Sequence, residues 1–236
     1  ATLMQVAPAR ARVVLSSDYK QAASRAACGK SHTAIIKPDG SAWFTGLNDS
    51  GQAGDGAAAT ACYYTPTQLS DDGTAAAIGC GGSSTIVVMA DGTVWGVGKN
   101  ANGQLGDGTT TARTSLVSMS GVANAVAAAC GESHTAVLAA NGSVWATGLN
   151  SAGQLGDGTG AQRTSAVQVM AANSAAMIAC GQTHTVVLKT DGTAWAAGQN
   201  ADGLFFFFFL FVGGGSMLFK PHRNVIKTGG RECWAT

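Results

Sequence analysis

Charged side chains are scarce in this sequence. Lys, Arg, Asp and Glu make up 11% of its 236 residues, against about a quarter in an average soluble domain. Residues 1–203 carry 10 basic and 12 acidic side chains, a net charge of −2, so they lack the basic surface that binding to nucleic-acid phosphates requires. The hydrophobic share of 46% is too high for a chain that is disordered by composition. We expect a folded chain that does not bind nucleic acid through this region.

Other patterns are missing as well. No Cys-x-x-Cys pair occurs among the six cysteines, so the usual zinc-site spacing is absent. The longest apolar run, residues 204–212, has nine residues, whereas a membrane-spanning helix needs about twenty. No segment combines a sustained 3.6-residue apolar period with helix-capping residues. We expect neither a membrane span nor a helical fold.

Glycine, in contrast, is abundant, and it recurs within an internal repeat. The sequence has 33 glycines, about twice the usual share. Four segments align without gaps, and the third reads CGESHTAVLAANGSVWATGLNSAGQLGDG. They begin at Cys28, Cys80, Cys130 and Cys180, at spacings of 52, 50 and 50 residues, and a tryptophan repeats at the same spacings. A repeat of this length indicates a solenoid or a propeller.

Each repeat contains four short segments that favour β-strands. In the third repeat an apolar run at 135–138 meets Asn-Gly, and a second run follows at 143–147, which predicts a hairpin because Gly accepts the positive φ of the turn. A further run follows each Gly-Asp-Gly turn, as at 115–119 in the second repeat, and another leads into the next Cys-Gly, as at 125–130. Four strands in about fifty residues are typical of a propeller blade, whereas solenoid units are usually shorter or contain helices. The expected fold class is all-β, a β-propeller of four-stranded antiparallel blades.

The repeated motifs point to a family. Cys-Gly-x-x-His-Thr, Asp-Gly-x-x-Trp-x-x-Gly-x-Asn and Gly-Gln-Leu-Gly-Asp-Gly resemble the repeat of the regulator of chromosome condensation superfamily, over about residues 8–203. The resemblance implies a seven-bladed β-propeller whose sequence repeat is offset from the structural blade, of which this chain would supply four blades. Residues 1–27 parallel the back half of a preceding repeat. We expect one repeat domain over 1–203, in a sequence that is a fragment.

The repeat stops after Gly203. The pattern calls for Gln-Leu-Gly-Asp-Gly at position 204, but the sequence reads LFFFFFLFV, and seven of the eight phenylalanines follow Gly203. Residues 204–236 also carry 4 basic and 1 acidic side chains, which reverses the sign of the charge. A translated intron or a frameshift would explain both changes. The alternatives are a disordered tail or one that covers an exposed blade edge.

The repeated polar residues have a structural interpretation and a metal-binding one. Cys-x-x-x-His is half a zinc site, but Ser84 replaces histidine in the second repeat, and the Gly-Asp-Gly loop lacks the closing Glu of an EF-hand. We expect no metal and no cofactor. Each Cys is interpreted as a small buried hydrophobe, each His-Thr pair as bonding to backbone between strands, each Trp as a core aromatic, and each Asp as bonding to its own turn. This structural signature comprises Cys28, Cys80, Cys130, Cys180, His32, His134, His184, Trp43, Trp95, Trp145, Trp195, Asp55, Asp107 and Asp157.

The tryptophans argue against a photoreceptor function, and the thiols indicate the cellular compartment. The ultraviolet-B photoreceptor branch of the superfamily that this sequence resembles uses tryptophans in Gly-Trp-Arg-His-Thr segments, and the matching segments here, such as GKSHT, contain neither Trp nor Arg. Equivalent cysteines on neighbouring blades are expected beyond the ~7 Å Cα separation that a disulfide allows. Free thiols favour a reducing compartment, so we expect an intracellular protein of the cytoplasm or nucleus.

The expected function is a protein–protein interaction module. No Ser/His/Asp or Cys/His arrangement is kept in every repeat, so we expect neither catalysis nor a small-molecule substrate. Loops on a rigid scaffold carry function, which selects the variable stretches 57–67, 109–114 and 159–164. Arginine packing over its own turn is the alternative interpretation of the two equivalent arginines. The candidate partner contacts are Tyr63, Tyr64, Arg113 and Arg163.

Three other functions stay open. The founding member of the superfamily that this sequence resembles exchanges guanine nucleotides on a small GTPase, but it uses an inserted wedge, and no insertion interrupts residues 28–203. Propellers of this kind are also joined to ubiquitin-ligase domains, which makes a ubiquitin-pathway protein the second alternative partner. The third is a secreted enzyme inhibitor, against which the recurring free cysteines argue.

Overall fold

The structure, a computed structural model, describes residues 23–57, 60–69 and 73–200, which form four antiparallel sheets. The first sheet contains β1 (Ala26–Cys28), β2 (His32–Ile36), β3 (Ala42–Asn48) and β4 (Thr60–Gln68). The second contains β5 (Ala75–Cys80), β6 (Ser84–Met89), β7 (Val94–Gly98) and β8 (Arg113–Ser118). The third contains β9 (Ala125–Cys130), β10 (His134–Ala139), β11 (Val144–Gly148) and β12 (Arg163–Met170). The fourth contains β13 (Ala175–Cys180), β14 (His184–Lys189) and β15 (Ala194–Gly198).

Within each sheet, strands that follow one another in the chain are also neighbours in space. The all-β class is confirmed, and so are four-stranded antiparallel blades in the first three sheets; the fourth sheet has three strands in the described part of the chain. Residues 1–22 and 201–236 lie outside the described residues, so the predicted tail and most of the predicted preceding repeat lie there too. No helix that could cross a bilayer occurs among the described residues.

The second and third strands of every sheet form the hairpin that the Asp-Gly and Asn-Gly dipeptides predicted. Gly40, Gly92, Gly142 and Gly192 adopt φ between 77° and 86°, which only glycine tolerates without strain. The register is the same in all four hairpins, with the tryptophan opposite Ile35, Val87, Val137 or Val187. The register is therefore fixed from sheet to sheet, and the first strand of each later sheet, such as β5, comes from the end of the preceding sequence repeat, which is the expected offset between repeat and blade.

Consecutive sheets pack against each other through their apolar faces. The first strands of neighbouring sheets are in contact, β1 with β5, β5 with β9, and β9 with β13. Three hydrophobic clusters fill the spaces between the sheets, and the tryptophan of each later sheet packs on the cluster before it. Small residues allow the inner strands to approach, because a Cβ at Gly79 would lie 3.1 Å from both Ala128 O and Cys130 Sγ. Sheets stacked in this way around one axis are the blades of a β-propeller.

The two ends of the sheets form two different faces. We call one end the loop face; it carries the Cys-Gly turns between first and second strands and the Gly-Asp-Gly loops between third and fourth strands. The opposite end, the turn face, carries the hairpin turns at 39–40, 91–92, 141–142 and 191–192. All three variable stretches selected from the sequence begin on the loop face.

Candidate functional site

A buried asparagine organises each Gly-Asp-Gly loop. Asn100 is fully buried, its Oδ1 accepts a bond of 3.0 Å from Leu105 N, and its Nδ2 donates to Asp107 Oδ1 (2.9 Å) and to Thr111 O (3.1 Å). Asn150 makes the equivalent bonds to Leu155 N (3.0 Å) and Asp157 Oδ1 (2.9 Å). The side-chain amides of both asparagines form their hydrogen bonds within their own loops. They therefore hold the shape of the loop and are not available to a ligand.

An ion pair closes the loop in the second and third sheets. Arg113 Nη2 and Nε lie 2.7 and 2.9 Å from Asp107 Oδ2, and Arg163 Nη2 and Nε lie 2.7 and 2.8 Å from Asp157 Oδ2. Burial opposes ionisation of Asp107, but hydrogen bonds from Thr109 and Arg113 outweigh it and lower the pKa of the carboxyl group. The arginines are 35% exposed and fix their own loops, which leaves only their outer edge for a partner.

Tyr63 replaces the arginine in the first sheet. It pairs with Gly46 in the register that joins Arg113 to Gly98, and its hydroxyl donates to Asp55. The two-residue insertion in this repeat hides the equivalence from a gapless alignment. A tyrosine hydroxyl thus satisfies the same aspartate that arginine satisfies elsewhere.

Tyr64 occupies a strand position that, in the second and third sheets, is covered by the Gly-Asp-Gly loop of the preceding sheet. The Gly-Asp-Gly loop of the first sheet sits on β8, with Gly56 N donating to Thr114 O at 2.9 Å. The loop of the second sheet binds β12 in the same way, through Gly108 N and Thr164 O at 2.9 Å. Tyr64 follows Tyr63 as Thr114 follows Arg113, but no described loop covers it, and it is 91% exposed. Of the four predicted contacts, it is the most accessible.

The His-Thr motif links neighbouring sheets. Thr85 Oγ1 donates to Gln52 O (2.9 Å) and contacts His32 Nε2 (3.3 Å), while Thr185 Oγ1 donates to Gln154 O (2.8 Å) and contacts His134 Nε2 (2.9 Å). Because the hydroxyl proton goes to the carbonyl, the hydroxyl oxygen accepts from Nε2–H. The threonine binds backbone as expected, but the histidine binds the threonine of the next sheet.

Burial controls the protonation of these histidines. It lowers the pKa of His32 and of His134 to about 4, and the Nδ1 of each has no hydrogen-bond partner among the described residues. The imidazole lies against the glycine that follows each cysteine: a Cβ at Gly29 would be 2.3 Å from His32 Cε1. The neutral ring is therefore a packed spacer between sheets, which requires Gly after Cys.

The second repeat departs from this pattern. Ser84 takes the histidine position and is 2% exposed, and Thr135 Oγ1 still donates to Gln104 O at 2.8 Å. The contact between sheets thus survives without an imidazole. No group of three or more His, Cys, Asp or Glu side chains in the described ranges could hold a metal ion.

The four repeated cysteines lie around the propeller axis at the loop face. They line a depression of about 380 Å³ together with the glycines that follow them. Burial raises the pKa of Cys80 and of Cys180 to about 12, as suits thiols that pack as small apolar groups. Cys28 is exposed, contrary to expectation, because no described sheet packs on the other side of the first one. The five described cysteines are all free thiols.

The tryptophans belong to the scaffold at the turn face. The Nε1 groups of Trp43, Trp95 and Trp145 donate to the hydroxyls of Ser41, Thr93 and Ser143 at 2.8, 3.0 and 3.1 Å. These hydroxyls donate in turn to Asp39, Asp91 and Asn141 at 2.7, 2.7 and 2.8 Å. Each tryptophan therefore ties the third strand to its own hairpin turn.

Sequence reasoning missed the position after Cys-Gly. Its side chains stand at the rim of the axial depression. The position varies in every repeat, although the flanking Cys-Gly and Thr do not vary, and that contrast was the available signal. Its occupants are Lys30, Gly82, Glu132 and Gln182.

Two family profiles match this chain, and both are described as the regulator of chromosome condensation (RCC1) repeat. One matches residues 91–138 and 141–188, and the other matches 75–104, 125–154 and 178–204. The "Secretion-regulating guanine nucleotide exchange factor" of Bos taurus is 35% identical over 78 residues, which are 33% of this chain and 17% of that protein.

Solved structures with the same arrangement of sheets include human WBSCR16, with a TM-score of 0.65 and 27% identity over 75% of this chain and 48% of that one. Prp20p from Saccharomyces cerevisiae gives a TM-score of 0.64 and 20% identity over 74% of this chain and 44% of that one; this likeness shows the fold alone. The chain thus spans less than half the length of each of these relatives.

Proposed function

Because the chain belongs to the family of regulator of chromosome condensation (RCC1) repeats, we propose that it is a protein–protein interaction module built on an RCC1-type β-propeller. The module binds its partner through the loop face. Partner contacts come from the variable stretches 57–67, 109–114 and 159–164, whose later residues lie in the outer strands β4, β8 and β12, with Tyr64 and the exposed edges of Arg113 and Arg163 among them.

One observation carries this proposal: the repeated polar groups of the loop face are consumed internally, while the exposed positions between them vary. Asn100 and Asn150 are fully buried and bonded within their loops. Thr110 and its equivalent Gly160 are exposed and differ in sequence, and the same holds for Ala112 and its equivalent Gln162. A fixed backbone that presents variable side chains suits recognition. It does not supply the paired acid and base that catalysis needs, so we propose no catalysed reaction and no cofactor.

The test uses matched substitutions on the two faces. Tyr64→Asp, Thr110→Asp and Gln162→Asp place a charge on the loop face, and Ala123→Asp and Ala140→Asp, also exposed, place one on the turn face. Proteins captured from a lysate of the source cells are quantified by mass spectrometry for each variant. We expect the same specific proteins to be lost with the loop-face variants and kept with the turn-face ones. Equal capture by both sets would reject the proposal.

Guanine-nucleotide exchange on a small GTPase is the second candidate. It is favoured by the 35% identity with the bovine protein named as an exchange factor, and Prp20p was characterised together with its binding to Gsp1p and histones. Exchange would proceed by loosening the nucleotide's phosphate and magnesium contacts without covalent chemistry. The measurement is release of fluorescent GDP from a panel of small GTPases. Release at the intrinsic rate from every member would exclude this candidate.

We also propose that the protein acts inside the cell, in the cytoplasm or nucleus. The five described cysteines are unpaired, and thiols persist in a reducing compartment. Fractionation of the source cells with antibodies against the chain tests this location.

A further inference from the structure

The rim of the axial depression is built as a preorganised ring. Each Cys-Gly turn is closed by a bond from the glycine N to the carbonyl of the residue three positions later, as in Gly81 N to Ser84 O and Gly131 N to His134 O, both 2.8 Å. Neighbouring turns are joined by Gly82 N to Glu132 O (3.3 Å) and Glu132 N to Gln182 O (3.0 Å). The backbone at the variable position is therefore held from two sides.

In the second repeat the variable position is a glycine, Gly82, so no side chain occupies the rim there. A Cβ at Gly82 would lie 2.8 Å from Glu132 O and 3.1 Å from Glu132 Cγ, so the stem of Glu132 lies beside a position without a side chain. Its Oε2 accepts from Gln182 Nε2 at 2.7 Å, and its Oε1 is 3.9 Å from Lys30 Nζ, which reaches over from the first sheet. The carboxylate of Glu132 is thus already engaged.

Two lysines near the turn of Gly82 are less engaged than this carboxylate. The Lys30 side chain is 73% exposed, and its single ion-pair contact is long. Lys99 N bonds to Ser83 O at 2.8 Å, which fixes Lys99 next to the same turn; it is exposed and forms no ion pair with any described residue. Two lysines and one engaged glutamate give the residues around this turn a net positive charge.

We propose that the axial depression at the loop face receives an acidic side chain, Asp or Glu, from a protruding loop of the partner protein, bound by Lys30 and Lys99 above Gly82. This inference rests on the proposed function and names the partner's chemistry. A depression of about 380 Å³ falls at the lower end of the range of ligand pockets. Its thiol and glycine floor accepts the apolar stem while the carboxylate meets the lysines. A carboxylate is preferred to a nucleic-acid phosphate because residues 1–203 carry a net charge of −2.

The probe is a synthetic peptide of four glutamates flanked by glycine and serine, with the glutamine version as its uncharged counterpart. Binding to the full chain is measured by calorimetry at low salt. We expect Lys30→Gln and Lys99→Gln each to weaken binding of the acidic peptide about fivefold, and the double variant to lose it. The matched control is Lys189→Gln on the turn face, which should change nothing. Circular dichroism checks that each variant is folded.

Two results would overturn the inference. One is equal affinity of the native chain and the Lys30→Gln, Lys99→Gln double variant for the acidic peptide. The other is tighter, lysine-dependent binding of an oligothymidylate, which would assign the rim to a nucleic acid. If the peptide fails while captured partners still depend on Tyr64, Thr110 and Gln162, the proposed function stands and only this inference falls.

Discussion

At the scale of single residues, the aspartates of the Gly-Asp-Gly loops form bonds inside the fold. Asp107 and Asp157 each bind one arginine within the same loop. The sequence predicted that these aspartates bond to their own turns. It could not show that the Tyr63 hydroxyl would bond to Asp55. The two-residue insertion shifts the sequence alignment, and only the strand register shows that Tyr63 and Arg113 are equivalent.

The Arg113–Asp107 pair can be tested by removing the cation. Arg113→Gln leaves a carboxylate that is 5% exposed without its charged partner. We expect the free energy of unfolding to fall by about 1–3 kcal/mol, as measured by urea denaturation at pH 7. Lys189→Gln is the control, since its partner Asp191 is 55% exposed and the pair should contribute less than about 0.5 kcal/mol. Equal losses would contradict this account.

The buried histidines predict a pH dependence of stability. Burial lowers the pKa of His134 to about 4 in the folded protein, whereas the unfolded chain keeps a pKa of about 6.5. Between these values only the unfolded state binds the proton, so the stability is complete above about pH 6.5 and is lost as the pH falls towards 4. The loss is of the order of 3 kcal/mol for each such histidine.

His134→Ser, which copies Ser84 of the second repeat, should reduce the slope of the unfolding free energy against pH by the contribution of one titrating group. Unfolding free energies at several pH values between 7.5 and 4 measure the slope. Ser84→His is the reciprocal variant and should steepen it. An unchanged slope in His134→Ser would show that the imidazole is not buried in its neutral form.

At the scale of elements, a Gly-Asp-Gly loop packs on the outer strand of the next sheet and joins the two sheets. The dipeptides predicted the hairpins and their turns because those contacts are local. The loop-to-strand contacts join residues about sixty positions apart, such as Gly103 and Thr164, and no local pattern reports them. The same limit hid the link between each threonine and the glutamine carbonyl of the sheet before it.

Two equivalent glycines separate the conformational requirement from the packing requirement. Gly103 has φ of 72°, and a Cβ there would lie 2.7 Å from Arg163 O and Thr164 Cα. Gly153 has φ of 74°, and among the described residues, its chain neighbours aside, a Cβ there would have no atom within 4 Å. We expect Gly153→Ala to cost about 1–2 kcal/mol, from the positive φ alone, and Gly103→Ala to cost clearly more. Thermal unfolding of the two variants measures the difference; similar losses would mean that the loop does not press on β12.

At the scale of the whole molecule, burial depends on where a sheet stands in the series. Ile35 is 41% exposed, while its equivalents Val87, Val137 and Val187 are 0–1% exposed. The repeat predicted that these positions are alike, and in register they are. It could not rank their exposure, because that depends on whether a neighbouring sheet covers them.

This difference predicts unequal effects of the same truncation. Val137→Ala removes two buried carbons between the second and third sheets and should cost about 2 kcal/mol. Ile35→Ala should cost less than about 1 kcal/mol, since much of its side chain is already in water. Urea denaturation compares the two, and a larger loss for Ile35→Ala than for Val137→Ala would contradict the partial exposure of Ile35.

The bonds from Thr85, Thr135 and Thr185 to the carbonyls of Gln52, Gln104 and Gln154 all run in one direction, from each sheet to the one before it. Each of the three described junctions therefore joins a donor of the later repeat to an acceptor of the earlier one, and the second and third repeats supply both. A duplication of about fifty codons copies both halves of a junction at once, so the number of repeats can change in evolution without new complementary mutations.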